Sequence, residues 1–119
     1  MNVLLIDDDE GSLLGMKFAI EMMGYCCDDY LCPVEAVAKY LPERYDVAVI
    51  DYQMPGLNGF EVLRKIRAKS PALRAIIISG CANFTDKPEG QPYIFLQKPL
   101  GEDFFQQLKE FETSIKDNN

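Results

Sequence analysis

The chain has 119 residues, enough for one domain with a core of its own. Acidic residues outnumber basic ones, 19 to 12, and the net charge of −7 excludes a general attraction to a nucleic-acid backbone. With no histidine, the sequence holds no Ser-His-Asp triad, no His-ligated metal and no phosphohistidine of its own.

Residues 3–6 are a continuous apolar run, as expected of a strand buried on both faces. Residues 12–23 read as a helix stopped by Gly24, and residues 25–30 as a second strand, interrupted by Asp28 and Asp29. Pro33 suits the first turn of a helix that places Val37, Tyr40 and Leu41 on one side. Residues 47–50 form another apolar run, ending at Asp51. After the Pro55–Gly59 loop, Asn58 and Glu61 have the spacing of a capping box, and the helix they open runs through Ala68. Residues 75–78 and 93–96 are the fourth and fifth strands, and Phe104, Leu108, Phe111 and Ile115 share one face of a last helix. Lys116 to Asn119 read as a polar tail or the start of a linker, so residues 1–119 form one domain. Between Ser79 and Tyr93, where a crossover helix is due, Pro88, Gly90 and Pro92 predict a short or missing fourth helix. Alternating strands and helices predict right-handed crossovers and a parallel sheet covered on both faces.

Cys26, Cys27, Cys32 and Cys81 lack C-x-x-C or zinc-like spacing and read as reduced thiols, with Cys26 and Cys27 on opposite faces of a strand. The apolar run after Met1 is too short for a signal sequence or membrane span, which makes a cytoplasmic location the expectation.

The chemistry sits at the strand ends. Asp7, Asp8 and Asp9 follow the first strand, Asp51 ends the third, Ser79 the fourth, and Lys98 follows the fifth. In an open parallel sheet the carboxyl ends of the strands share one edge, where ligands bind. Clustered carboxylates repel one another until a hard divalent cation joins them. A carboxylate can also attack a phosphoryl group, and a cation, Lys98 and the Ser79 hydroxyl suit the charge that then develops. An ionised carboxylate needs no general base, so the absence of histidine is no obstacle.

Residues 3–10 (VLLIDDDE), 47–61 (VAVIDYQMPGLNGFE), 76–80 (IIISG) and 95–99 (FLQKP) together resemble the receiver domain of two-component response regulators, over nearly the whole chain. The resemblance implies an α/β flavodoxin-like fold: a five-stranded parallel sheet in order 2-1-3-4-5. It implies Asp51 as phosphoacceptor, with Asp7, Asp8, Asp51 and the Gln53 backbone carbonyl around Mg²⁺. Ser79 and Lys98 would contact the phosphoryl group, Phe95 would be the switch aromatic, and the Lys98-Pro99 bond would be cis. The implied partners are a histidine kinase or histidine phosphotransfer protein as donor and an unidentified downstream effector, with neither nucleic acid nor membrane bound directly. The domain would be a switch rather than a conventional enzyme. The other reading of the same fold is an interaction module that acts without phosphorylation. The Asp7-x-Asp9 spacing superficially resembles phosphatases of the haloacid dehalogenase type, in which Asp7 would be the nucleophile, but Gly11 stands where that family has Thr or Val.

Overall fold

The computed structural model describes residues 1–81, 84, 86, 87 and 92–117. Its elements in chain order are β1 (Asn2–Ile6), α1 (Glu10–Met22), β2 (Cys26–Tyr30), α2 (Pro33–Ala38), β3 (Val47–Asp51), α3 (Gly59–Arg67), β4 (Arg74–Ser79), β5 (Ile94–Gln97) and α4 (Glu102–Asp117). All strand pairs are parallel, and the sheet order is β2-β1-β3-β4-β5, as expected.

Side-chain alternation along the central strands builds two cores. Val3, Leu5, Val47, Val49, Ile76 and Ile78 face one way, against Leu13, Met16 and Ile20 of α1 and Phe104 and Leu108 of α4. Leu4, Ile6, Ala48, Ile50, Ala75 and Ile77 face the other way, against Ala36 and Tyr40 and against Phe60, Leu63 and Ile66 of α3. With a helix layer on each face, both side-chain sets are buried, so β1, β3 and β4 read as unbroken apolar runs.

Local signals account for the element ends. Asp9 caps α1 by accepting from the Ser12 backbone N–H at 2.8 Å, so the helix begins at Glu10 rather than at residue 12. The capping box of α3 is present: Asn58 Oδ1 accepts from the Glu61 N–H at 2.9 Å, and Glu61 Oε1 from the Asn58 N–H at 3.1 Å. β2 tolerates its two aspartates because it is an edge strand: Asp29 pairs with Lys17 at 2.6 Å, and Asp28 with Arg44 at 3.0 Å.

Five expectations need correction. α2 ends at Ala38, and Leu41, just before Pro42, is 56% exposed; only Tyr40 of that pair turns inward, its hydroxyl 2.8 Å from Ser70 Oγ. β2 begins at Cys26, because Tyr25 is still in the turn after α1, and β5 is shifted by one residue to Ile94–Gln97. β4 takes in Arg74, which pairs with Val47, and Ser79, which pairs with Gln97. Lys116 and Asp117 continue α4 instead of starting a tail. The expected short or missing crossover helix falls largely on residues outside those described; none of the described residues between β4 and β5 is helical. Cys26 is exposed and Cys27 buried, on opposite faces as expected, and burial pushes the Cys27 thiol up to about 12, in keeping with a small apolar filler.

Candidate functional site

Strand register brings the polar residues to one edge. Ile6 pairs with Ile50, Asp51 with Ile78 and Ser79 with Gln97, so Asp7, Asp51, Ser79 and Lys98 lie within about one residue of a common level. Asp7 is wholly buried, Asp51 and Ser79 nearly so, and Asp8 is exposed at the rim. A carboxylate oxygen from each of Asp7, Asp8 and Asp51 lies within 4.8 Å of the other two.

Lys98 supplies the positive charge. Its Nζ lies 3.2 Å from Asp7 Oδ2 and 3.4 Å from Asp51 Oδ1. The other oxygen of Asp7 accepts from the Asp9 N–H at 2.9 Å, which fixes the turn carrying Asp8. The Lys98 N–H donates to the Ser79 carbonyl at 2.8 Å, extending the β4–β5 ladder to the point where the side chain turns inward, and the Lys98-Pro99 bond is cis.

Three carboxylates face one ammonium, and the balance shows in the titration of Asp51 and Lys98. Burial, then the neighbouring Asp7, pushes the Asp51 carboxyl up to about 6, although Lys98 pulls the other way. Burial alone would lower the Lys98 amine, but Asp51 and Asp7 outweigh it and its pKa is raised. Asp51 is therefore a carboxylate held in its charged form at a cost. Without divalent cation, the penalty is absent below the unfolded value of 3.8, grows as pH rises, and is complete above about pH 6. Asp51→Asn should accordingly stabilise the cation-free protein at pH 7.5 by roughly 1–3 kcal/mol and leave its stability at pH 4 almost unchanged, as measured by urea unfolding at both pH values.

Gly59 keeps the loop after Asp51 close to β3. Its N–H donates to the Tyr52 carbonyl at 2.9 Å, and a Cβ there would lie 2.9 Å from the Asp51 carbonyl oxygen. That loop carries Gln53, whose side chain is exposed. The Ser79 hydroxyl lies at the same edge and accepts from the Cys81 N–H at 3.1 Å; among the described residues it makes no hydrogen bond to Asp51 or Lys98. Phe95 is half-buried in β5, its ring centroid 5.2 Å from that of Phe84. The structure thus joins Asp7, Asp8, Asp51 and Lys98 directly, with Ser79 beside them and Phe95 one layer out.

A sequence profile of the response regulator receiver domain matches residues 3–110. The chain belongs to that family. Among curated receiver-containing relatives, the C4-dicarboxylate transport transcriptional regulatory protein DctD of Rhizobium meliloti is 29% identical over 105 residues, 86% of this chain and 23% of that protein. This receiver chain thus spans about a quarter of that relative. The non-phosphorylated HemR receiver domain of Leptospira biflexa superposes with a TM-score of 0.80 at 26% identity, covering 92% of each chain. The response regulator TrrA, solved in complex with the histidine kinase ThkA, shares the receiver fold at a TM-score of 0.79 and 22% identity, over 92% of this chain and 97% of that one. As in other receivers, the sheet order places the switch point, where β1 meets β3, directly below the acidic cluster. Among the described residues of this receiver, no helix is long and apolar enough to cross a membrane.

The sequence reading missed two contributors. Asp9 carries the α1 cap, and its Asp-x-x-Ser spacing was a usable signal. Asp86, whose oxygens accept from Tyr52 Oη at 2.6 Å and Asn58 Nδ2 at 2.8 Å, sits in a stretch with no periodic pattern to mark it.

Proposed function

We propose that this receiver accepts a phosphoryl group on Asp51 from a phosphohistidine of a partner kinase or phosphotransfer protein and, in doing so, switches a protein-interaction surface. The observation that carries the reading is the convergence of Asp7, Asp8 and Asp51 around the Lys98 ammonium. An Asp51 carboxylate oxygen attacks phosphorus in line; the new O–P bond forms as the P–N bond to the donor imidazole breaks, and the imidazole leaves with the electron pair. The donor set is all oxygen and predominantly acidic, which fits a hard divalent cation such as Mg²⁺. Asp7, Asp8, Asp51 and the Gln53 backbone carbonyl would hold it, and when bound it would neutralise charge on the transferred group. Lys98, already between Asp7 and Asp51, offers an N–H to the phosphoryl oxygens. The Ser79 hydroxyl can exchange its bond from Cys81 for a bond to the same group.

Phosphorylation adds negative charge that draws Ser79 and Lys98 inward, and the space Ser79 leaves is open to Phe95. Turning a ratio of roughly 99:1 into its inverse takes about 5.5 kcal/mol, within reach of a few charge-assisted bonds. The output is a surface near β5 that engages a downstream effector, with the domain acting as a cytoplasmic switch. On α1, Leu14, Phe18 and Met22 recur every fourth residue and are 66–72% exposed, beside a groove that opens at Lys98 and Phe105. We place the phosphoryl donor there, because this exposed apolar stripe adjoins the Lys98 edge of the site that the donor must reach. Removal of divalent cations with EDTA should abolish phosphorylation by acetyl phosphate, and adding back Mg²⁺ should restore it. Full activity in EDTA would overturn the metal assignment.

A further inference from the structure

Phe84 and Asp86 are described residues of the crossover between β4 and β5, and both reach back across the site edge. Asp86 accepts from Tyr52 Oη at 2.6 Å and from Asn58 Nδ2 at 2.8 Å. Both donors belong to the loop that follows Asp51. The Asn58 amide is used at both ends: Oδ1 caps α3 by accepting from the Glu61 N–H, while Nδ2 holds the crossover. Two residues before Asp86, the Phe84 ring lies 4.5 Å from Tyr52, 5.2 Å from Phe60 and 5.2 Å edge-on to Phe95. Phe95 is thus tied through one ring to the loop after Asp51, and a carboxylate two residues along holds that ring in place. The Tyr52 hydroxyl, and after it the Asn58 amide, favour the charged form of Asp86 and hold its carboxyl below the usual range. At neutral pH both bonds are charge-assisted.

We propose that Asp86 is a latch: by gripping Tyr52 and Asn58 it keeps Phe84 seated against Phe95 and so opposes the movement of Phe95 that follows phosphorylation of Asp51. This rests on the reading of Asp51 as phosphoacceptor and Phe95 as the moving aromatic. Coupling is reciprocal, so a latch that phosphorylation must loosen is also one whose loosening favours the phosphorylated arrangement. None of the described crossover residues is helical, and here side-chain bonds perform the holding.

Two variants loosen the latch without disturbing the cores. Tyr52→Phe removes one donor and keeps the ring; Asn58→Asp keeps a good helix cap but sets a second carboxylate against Asp86. Each should tighten beryllofluoride binding in the presence of Mg²⁺ by about threefold to tenfold, read by calorimetry. Each should also shift the ring-proton NMR signals of Phe84 and Phe95 in the ligand-free protein. The exchange of Asn58→Asp with Asp86→Asn restores a donor–acceptor pair and should return both readouts to wild type, a rescue that a general loss of stability would not produce. Unchanged ring signals, unchanged or weaker beryllofluoride binding, or failure of the exchange to rescue would overturn the latch. If the wild-type protein binds no beryllofluoride, the phosphoacceptor reading fails, and the ligand-free ring signals still decide whether the latch governs Phe95.

Discussion

Lys98→Ala should slow phosphorylation of Asp51 by acetyl phosphate roughly 100-fold or more, the usual cost of removing one donor aimed at developing charge. The Lys98 ammonium lies within 3.4 Å of both Asp7 and Asp51, and it is the only cation paired with either among the described residues. As the O–P bond forms, charge shifts onto the phosphoryl oxygens, and Lys98 is already in place to meet it. The same substitution leaves wholly buried Asp7 facing Asp51 without a countercharge. In cation-free solution this should cost about 3–5 kcal/mol of stability, so the rate is to be read with Mg²⁺ present on protein shown by circular dichroism to be folded. Lys98→Arg should not restore the full rate, because a planar guanidinium replaces a compact ammonium at a half-buried position. A rate for Lys98→Ala within threefold of wild type would contradict this role.

The second large effect is on stability. Phe60 is wholly buried, with ring centroids 5.3 Å from Tyr52, 5.2 Å from Phe84 and 5.1 Å from Tyr93. It joins α3, the loop after Asp51 and the approach to β5. Phe60→Ala should destabilise the domain by about 3–5 kcal/mol, from lost burial plus the cavity left behind. That is a large part of the 5–15 kcal/mol expected of a domain this size. Phe18, 66% exposed on α1, is the matched control, and its replacement by alanine should stay within about 0.5 kcal/mol of wild type. Chemical denaturation of both variants checks the pair. A cost below about 1 kcal/mol for Phe60→Ala would show that the aromatic cluster is not packed as described.

Much of this was legible in the sequence because the signals are local and periodic. Apolar runs at residues 3–6, 47–50 and 75–78 suited strands covered on both faces, and each ended at a residue of the site. The Asn58–Glu61 box fixed the start of α3 to the residue. Where tertiary structure decides, the sequence was weaker. Leu41 had helical spacing with Val37, but α2 stopped before it and Pro42 turned the chain outward. That Asp7 is buried while its neighbour Asp8 is exposed depends on the turn bond from the Asp9 N–H, not on residue type. The Asp86 contacts with Tyr52 and Asn58 join positions 34 and 28 residues apart, a separation that no local pattern encodes.

Phosphorylation at Asp51 is tested most directly by the intact mass of the protein after incubation with acetyl phosphate and Mg²⁺, beside Asp51→Asn treated in the same way. The wild type should gain the mass of one phosphoryl group and the variant none. No gain in folded wild-type protein, or an equal gain in the variant, would contradict the assignment of Asp51 as the phosphoacceptor.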